Sequence, residues 1–276
     1  MKFRLALPLL CLSLAALAAE PSVPPPITRL TILGDNTATR RDVKAVWGFS
    51  CLVEANGHIV LFDTGGDPAA LKENLAVLKV DPAKIEAVVF SHVHRDHTLG
   101  APGLGVLPGV PAYTPHTFAD RLKETAALKA AGLRLVPVTT ATPLFDGITI
   151  SEPLSFEKAD GLDDTWEQCL SIDTPEGLVV IVGCSHPGIL PMLEQVKRQT
   201  GRPLYLVIGG FHLMGHRPTE VRRVATAMQT LGVAHVSATH CTGTVASHIF
   251  HTVFGDRYVE AGVGSVISLP FVPKTP

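Results

Sequence analysis

The sequence predicts an α/β protein whose functional residues lie along one edge of a sandwich of two β-sheets. Apolar runs of strand length recur along the chain between segments that have a helical pattern. Five of these runs end in a turn that carries a histidine or an aspartate. The chain has 276 residues, of which 46% are hydrophobic, so it can bury one substantial core.

The apolar pattern places eleven strands and five helices along the chain. Pro68, directly after Asp67, suits the first position of a helix, and Thr219 is expected to begin another. An amphipathic stripe from Phe118 to Lys129 predicts a helix that faces the core. The strands are expected near 28–33, 46–53, 58–62, 85–90, 133–137, 147–150, 168–173, 178–183, 204–208, 234–237 and 265–269. The helices are expected at 67–78, 117–131, 188–199, 219–230 and 244–253.

Residues 1–19 are predicted to be a signal peptide, and residues 20–276 a single domain. A basic start (Met1-Lys-Phe-Arg4) precedes an apolar stretch over 5–17, and Ala16-Leu17-Ala18 resembles a signal-peptidase site. The apolar stretch is too short for a transmembrane anchor, which needs about 20 residues. We therefore expect a periplasmic or secreted protein that has no stable membrane anchor after cleavage.

The overall charge gives no reason to expect a nucleic-acid partner. The formal net charge is −2, from 23 basic and 25 acidic side chains, and no basic run interleaved with aromatic residues is present. We expect a small-molecule substrate instead. The sequence does not determine the oligomeric state.

The densest group of chemically active residues is His92-Val93-His94-Arg95-Asp96-His97. Three imidazoles and one carboxylate lie within six positions, directly after the apolar run that ends at Phe90. A tight turn after such a strand can aim His92 and His94 at one point and Asp96 and His97 at another. Because imidazole and carboxylate are ligands that zinc and related ions prefer, this stretch predicts a metal site.

Further ligand-type residues follow four other apolar runs. They are Asp63 after 59–62, His186 after 178–182, His212 after 204–208 and His240 after 234–238. A catalytic metal ion needs about three protein ligands and an open position, so these residues can complete a site for two ions. His235 lies inside its apolar run rather than at the end, so we expect it to be a core or surface residue.

Four segments resemble the ordered motifs of the metallo-β-lactamase superfamily. They are Phe62-Asp63-Thr64-Gly65, His92-Val-His-Arg-Asp-His97, Gly183-Cys-Ser-His186 and Thr239-His240. The variants Gly-Cys-Ser-His-Pro-Gly, Gly-Gly-Phe-His-Leu and Thr-His-Cys-Thr-Gly resemble one branch, named for 7,8-dihydropterin-6-methyl-4-(β-D-ribofuranosyl)aminobenzene 5′-phosphate synthase. The resemblance extends from near Leu30 to Leu269 and implies an αββα four-layer sandwich.

The resemblance also implies a ligand for each position of a two-metal site. The first ion would be held by His92, His94 and His186. The second would be held by Asp96, His97 and His240. Asp63 would lie beside the site and orient a ligand or a water, although a carboxylate that caps a glycine-rich turn would give the same sequence.

The chain departs from the superfamily at the motif that lies between His186 and His240, called here the fourth motif. Most two-metal members carry an aspartate there, between the ions. Gly209-Gly210-Phe211-His212 takes that place, and the only acidic residue between His186 and Thr219 is Glu194 in a helical stretch. His212 is thus a candidate metal ligand, a donor to the substrate, or a residue that supports the other ligands. Loss of a negative charge between two dications predicts a second ion that binds more weakly.

The expected reaction is hydrolysis by a water that a metal ion activates, with Asp96 or Asp63 positioning a proton. We expect two divalent ions, with zinc favoured over manganese or iron, and a small substrate that bears a phosphate or carboxylate. Thr242 and Gly243 precede a helix, so they form either an anion site or a plain helix cap. The alternatives are a transferase like the branch synthase, and a non-catalytic metal- or ligand-binding protein.

Two further predictions concern residues near the motifs. Cys184 and Cys241, which lie beside two presumed ligands, are expected to be small buried groups; a bond or a shared metal contact between them is the alternative. Asp164, Glu167 and Gln168 flank a strand and are expected to form a surface turn.

Overall fold

Two large β-sheets, flanked by helices, form the fold in the computed structural model, which describes residues 28–157 and 164–271. The predicted signal peptide lies outside these residues. The strands are β1 (Thr28–Gly34), β2 (Ser50–Ala55), β3 (His58–Phe62), β4 (Ala87–Val89), β5 (Pro111–Pro115), β6 (Arg134–Val138), β7 (Thr142–Phe145), β8 (Ile148–Ile150), β9 (Leu154–Glu157), β10 (Asp164–Glu167), β11 (Leu170–Thr174), β12 (Gly177–Val182), β13 (Leu204–Gly210), β14 (His235–Thr239) and β15 (Val266–Leu269). The α-helices are α1 (Pro68–Val77), α2 (Arg95–Thr98), α3 (Leu122–Ala130), α4 (Ile189–Thr200), α5 (Pro218–Leu231) and α6 (Thr244–Phe254).

The order of the strands brings the ends of several parallel strands to one place in each sheet. The first sheet has the order β15-β1-β2-β3-β4-β5-β6, and the second has the order β14-β13-β12-β11-β8-β7. Strands β3 and β4 are parallel, as are β12, β13 and β14. Since parallel strands end on the same side of a sheet, the turns after them are neighbours. The short strands β9 and β10 form a separate antiparallel ribbon.

Three apolar layers hold the sheets and helices together, which confirms the predicted αββα sandwich. The middle layer lies between the sheets and includes Phe62 from one and Ile208 from the other. One outer layer packs α4, α5 and α6 on the second sheet, and the other packs α1 and α3 on the first. Side chains alternate between layers along each strand: Val179 and Ile181 face the middle layer, whereas Val180 faces the helices. Strands buried on both faces explain the continuous apolar runs of the sequence.

The structure corrects several predicted boundaries. The strand expected from residue 46 begins at Ser50, because Gly48 has a φ of 142°, which a regular strand does not contain. The helix expected over 117–131 is interrupted at Arg121, with a 3₁₀ turn before it and α3 after it. Helix α5 begins at Pro218 rather than Thr219. Strands β5, β7, β9 and β10 were not predicted, and the first two contain prolines, which argue against a strand in a sequence pattern.

Within the described residues, no helix has the length and apolar character required to cross a lipid bilayer.

The start of α1 provides a test of the fold. The Asp67 carboxylate accepts a hydrogen bond of 2.8 Å from the backbone N–H of Ala70, as a helix N-cap does. We expect Asp67→Ala to lower the free energy of unfolding by about 1 kcal/mol, measured by urea denaturation. Asp67→Asn retains an acceptor oxygen and should remain close to the unchanged protein. Equal stability of all three proteins would show that this cap contributes nothing.

Candidate metal centre

Three histidines converge at the ends of β4 and β12. Their ligand nitrogens, one each from His92, His94 and His186, all lie within 4.8 Å of one another. The centroids of the three rings are 4.6 to 4.7 Å apart. The Nε2 atom of His92 is buried and has no hydrogen-bond partner. A buried ring nitrogen without a partner is costly unless something binds it, and a metal ion would meet that need.

The carboxylate of Glu167 holds His186 and its turn in place. Glu167 Oε2 accepts hydrogen bonds from the backbone N–H (2.8 Å) and Nδ1 (2.9 Å) of His186. Its Oε1 accepts from the backbone N–H groups of Cys184 (2.8 Å) and Ser185 (2.7 Å). Burial opposes ionisation, but these hydrogen bonds outweigh it and lower the pKa of Glu167 to about 2. The arrangement leaves Nε2 of His186 free to face His92 and His94.

The protonation state of His92 suits metal binding. Burial, together with the neighbouring imidazoles, lowers the pKa of His92 well below its usual range. The ring is therefore neutral, which is the form that binds a metal ion. The hydroxyl of Ser91 lies 2.8 Å from His92 Nδ1, so the orientation of the ring is fixed from the side away from the cluster.

A second group of ligand-type side chains lies beside the first. One atom each from Asp96, His97, Cys184 and His240 lie within 4.8 Å of one another. His240 Nε2 is 3.3 Å from Asp96 Oδ2, but it is buried and makes no hydrogen bond. His97 Nε2 is 3.2 Å from the sulfur of Cys184. The two groups are adjacent, since the rings of His92 and His97 are 4.2 Å apart.

Asp63 holds the ring of His97, a member of the second group, from inside the protein. Its Oδ2 is 2.7 Å from His97 Nδ1 and accepts a hydrogen bond from the Ser91 hydroxyl, while its Oδ1 accepts one from the Ser91 backbone N–H. Burial alone would lower the pKa of His97, but the Asp63 carboxylate raises that pKa to about 9. Asp63 is fully buried, so its place favours the predicted role of orienting a ligand over direct contact with a substrate.

Three more side chains fix Asp96 and His240. Trp47 Nε1 donates a hydrogen bond of 2.8 Å to Asp96 Oδ2, and Asn36 Oδ1 lies 3.1 Å from His240 Nδ1. Asp35 accepts from the backbone N–H of His240. Burial would raise the pKa of Asp96, but the imidazoles of His240 and His97 outweigh it and lower that pKa, so the carboxylate is ionised.

Backbone strain is concentrated in the same turns. Asp63, Ser185, His212 and His240 have φ values of 55°, 63°, 50° and 48°, which only glycine adopts readily. Each is at or close to the end of a strand. Such conformations persist where surrounding contacts enforce them, and they occur often at functional sites. Hydrogen bonds enforce three of these conformations: those that Asp63 accepts, the bond from the Ser185 N–H to Glu167, and the bond from the His240 N–H to Asp35.

His212 lies in a third group, with Cys184 and Cys241, whose ligand atoms are also within 4.8 Å of one another. Its side chain is exposed, and its ring is 4.4 Å from the ring of His186. It does not belong to the group of Asp96, His97 and His240. A role for His212 as a metal ligand therefore stays a prediction.

Cys184 and Cys241 lie within the site and form no disulfide bond. All four cysteines of the described residues are free, so the predicted alternative of a bond between Cys184 and Cys241 is wrong in this structure. Both are buried, as expected. The Cys241 thiol points to the backbone oxygen of Cys184 at 3.6 Å.

Two other predictions about this region are wrong. Glu167 and Gln168 are fully buried rather than in a surface turn, because their polar atoms bond to the turns after β4 and β12. The sequence signal that could have predicted the burial of Glu167 is the position of an acidic residue just before an apolar strand. Thr242 is also fully buried, and its hydroxyl accepts from the backbone N–H of Phe211 at 3.0 Å. It does not cap α6, so the predicted helix cap is wrong, whereas a substrate role for Thr242 and Gly243 stays a prediction. The Gly243 N–H bonds to the His240 carbonyl oxygen.

A cavity of about 360 Å³ opens onto both groups of ligands. Asp96, His94, His186 and His212 line it, with the thiols of Cys184 and Cys241. Trp47 and Phe156 form aromatic walls: Phe156 stacks on His186 at 4.5 Å, and Trp47 lies 4.9 Å from His240. A second, larger cavity of about 640 Å³ shares Trp47 with the first and is lined also by His240, Gly243 and residues of α6.

Residues 43–188 match the metallo-beta-lactamase superfamily, and this stretch covers more than half of the chain. The chain belongs to that superfamily. It is 29% identical over 256 residues to a 7,8-dihydropterin-6-methyl-4-(beta-D-ribofuranosyl)-aminobenzene-5′-phosphate synthase of Methanocaldococcus jannaschii, which covers 78% of this chain and 86% of the synthase. The resemblance predicted from the motifs is confirmed.

Solved structures show the same fold. Tm1679, described as a metal-dependent hydrolase of the beta-lactamase superfamily, is 26% identical with a TM-score of 0.70 over 87% of this chain and 98% of its own. Zn²⁺-bound PqqB from Methylobacterium extorquens is 13% identical with a TM-score of 0.56, over 87% of this chain and 100% of its own. The second likeness shows the fold alone.

The residues of the cluster fit the divalent ions that this superfamily typically binds. Nitrogen, oxygen and sulfur donors in this mixture are those that zinc and its neighbours prefer. The buried Nε2 atoms of His92 and His240 have no hydrogen-bond partner in the protein. Each ring is held through its other nitrogen, as metal-binding histidines are.

Glu167 offers the sharpest test of this geometry. In Glu167→Gln an amide NH₂ replaces one oxygen that accepts N–H groups, so the turn that carries His186 loses hydrogen bonds. We expect the affinity for the ion at His92, His94 and His186 to fall by roughly 10- to 100-fold, and the free energy of unfolding to fall by about 1–3 kcal/mol. Chelator competition and urea denaturation measure the two effects.

Glu86 provides a matched control for that substitution. It also bonds a histidine ring and a backbone N–H, those of His58 and Ile59, but it lies on the surface outside the ligand groups. Glu86→Gln should leave metal affinity unchanged. Equal metal affinity in Glu167→Gln and in the unchanged protein would contradict the positioning role of Glu167.

Proposed function

We propose that this protein is a metal-dependent hydrolase that uses two divalent ions, with zinc the favoured metal, to cleave a small anionic substrate. The observation that carries the proposal is the pair of adjacent ligand groups at one cavity, each with a buried imidazole nitrogen that lacks a hydrogen-bond partner. Membership of a superfamily composed mostly of hydrolases supports it.

In this proposal each ion has its own set of protein ligands. His92, His94 and His186 would hold the first, and Asp96, His97 and His240 would hold the second. A divalent ion in such a site lowers the pKa of a water toward about 7 and polarises a carbonyl or phosphoryl oxygen. The buried carboxylates of Glu167 and Asp63 maintain the orientation of the rings.

Asp96 is the group best placed to handle a proton. It is ionised and lines the cavity, and its side chain is 21% exposed. Trp47 holds one of its oxygens through a hydrogen bond. A carboxylate in that position can accept a proton from a water or pass one to a leaving group. Asp63, in contrast, is sealed from the cavity.

The walls of the cavity support a substrate that has an apolar body and a charged end. Trp47 and Phe156 offer flat apolar surfaces on either side of the ligands. No lysine or arginine lines this cavity among the residues that the structure describes. A phosphate or carboxylate would therefore be bound by the ions and the imidazole of His212, rather than by a lysine or arginine.

The likeness to the pterin-phosphate synthase favours a second candidate, a transferase that joins two substrates. The two reactions differ in their products. A hydrolase adds the elements of water to one substrate, whereas such a transferase requires a second substrate and gives a joined product. A fold alone does not decide between them.

An activity screen tests the hydrolase. The protein, reconstituted with zinc, manganese or iron, is incubated with phosphoesters, lactones and β-lactams, and the products are followed by mass spectrometry. We expect hydrolysis of at least one class, its loss in His92→Ala and in His186→Ala, and its loss on treatment with a chelator. His235→Ala is the control, since that ring packs on Tyr205 and Phe271 away from the ligands.

Full activity in His92→Ala or His186→Ala would overturn the ligand assignment. Turnover that begins only when a second organic substrate is added would favour the transferase. Metal binding without turnover of any substrate would favour a binding protein on the same fold.

A further inference from the structure

The second ligand group lacks the negative charge that a bridging aspartate would supply. Glu194, the one acidic residue between His186 and Thr219, lies exposed on α4. The carboxylates of Asp63 and Glu167 are fully buried and bond to ring nitrogens and backbone N–H groups. Asp96 is therefore the only carboxylate of the group.

At the fourth motif, Gly209-Gly210-Phe211-His212, a cysteine sulfur lies against the backbone of Gly210. A Cβ on Gly210 would lie 2.6 Å from Cys241 Sγ and 2.6 Å from the carbonyl oxygen of Gly183. No side chain can enter the site from that position unless the neighbouring atoms move. The Cys241 thiol therefore occupies the space beside Gly210, and the Cys184 thiol lines the same cavity.

Cys184 is directed at the second group. Its sulfur is 3.2 Å from His97 Nε2, and it lies within 4.8 Å of the ligand atoms of Asp96 and His240. Cys184 is 3% exposed as a residue, and it lines the cavity. Its backbone N–H is bonded to Glu167, so the turn that carries it is fixed.

An independent observation points to the same place. His240 Nε2 is buried and has no hydrogen-bond partner, although its ring is fixed through Nδ1 by Asn36. An ion that met this nitrogen would have two imidazoles and one carboxylate around it. Zinc sites in proteins usually have four ligands, and thiolate is a common one.

We propose that Cys184 is a protein ligand of the second ion, in place of the bridging aspartate. The inference rests on the two-metal function proposed above. Binding breaks the S–H bond of Cys184, forms a metal–sulfur bond and releases one proton to the solvent. Because thiolate is a soft ligand, the second position selects zinc, iron or cobalt over magnesium or manganese.

X-ray absorption of the zinc-loaded full chain tests the ligand directly. We expect a sulfur neighbour at about 2.3 Å in addition to nitrogen and oxygen neighbours at about 2.0–2.2 Å. The measurement uses the unchanged protein, so it does not depend on whether a variant folds. Two bound ions with nitrogen and oxygen neighbours alone would overturn the inference and leave the two-metal function standing. The absence of any bound ion would overturn both.

Cobalt substitution then identifies the thiol. The cobalt-loaded protein should show a near-ultraviolet charge-transfer band from thiolate to metal. Cys184→Ser should lose that band and weaken the second ion by more than the roughly tenfold that loss of an outer partner costs. Cys241→Ser and Cys169→Ser should retain the band, since Cys241 bonds to a backbone oxygen and Cys169 lies in the helix-facing core.

The opposite pattern would contradict the assignment. If Cys241→Ser loses the band and Cys184→Ser retains it, Cys184 is not the ligand, and the group of Cys241 and His212 takes its place. If Cys184→Ser does not fold, a band that persists in Cys241→Ser and in Cys169→Ser still supports Cys184, and loss of the band in Cys241→Ser still overturns it.

Discussion

The hydrogen bonds of Glu167 and Gln168 join the two turns that carry His186 and His92. The Glu167 oxygens accept four hydrogen bonds from the Cys184–His186 turn, which follows a strand of the second sheet. The next residue, Gln168, donates its backbone N–H to the carbonyl oxygen of Ser91, in the turn that follows β4 of the first sheet. Desolvation of a carboxylate costs several kcal/mol unless hydrogen bonds offset it. Here four hydrogen bonds offset the cost and fix the turn that carries His186. The position of His186 relative to His92 therefore depends on Glu167.

The layered fold could be predicted from the sequence because its strands are buried on both faces. Runs such as 178–182 and 204–208 are continuously apolar, and most strand positions followed from them. The strands that were missed are short edge or ribbon strands, such as β7 with its proline, whose pairing depends on distant partners rather than on local pattern. The break at Arg121 likewise has no strong local signal.

The sequence identifies the candidate ligands because five of the six are histidines that lie in the dense segment or at strand ends; their role as ligands stays a prediction. Their supporting residues could not be found in this way, since Glu167, Asn36 and Trp47 reach the site from segments far away in sequence. The burial of Thr242 depends on its contact with Phe211, which no local pattern reveals. Cys184 is buried, as the sequence predicts, but its closeness to Asp96 and His97 depends on residues that are distant in the chain. Local sequence therefore identifies donor atoms, and the fold determines which of them meet.

The most direct test of the two-metal centre is the metal content per chain, measured by elemental analysis of protein purified without chelators and then reconstituted with zinc. Two ligand groups that share a cavity predict a value near two transition-metal ions per chain. A value near one would contradict the second site. A value of zero, after reconstitution with zinc, manganese or iron, would contradict the account of a metal-dependent enzyme.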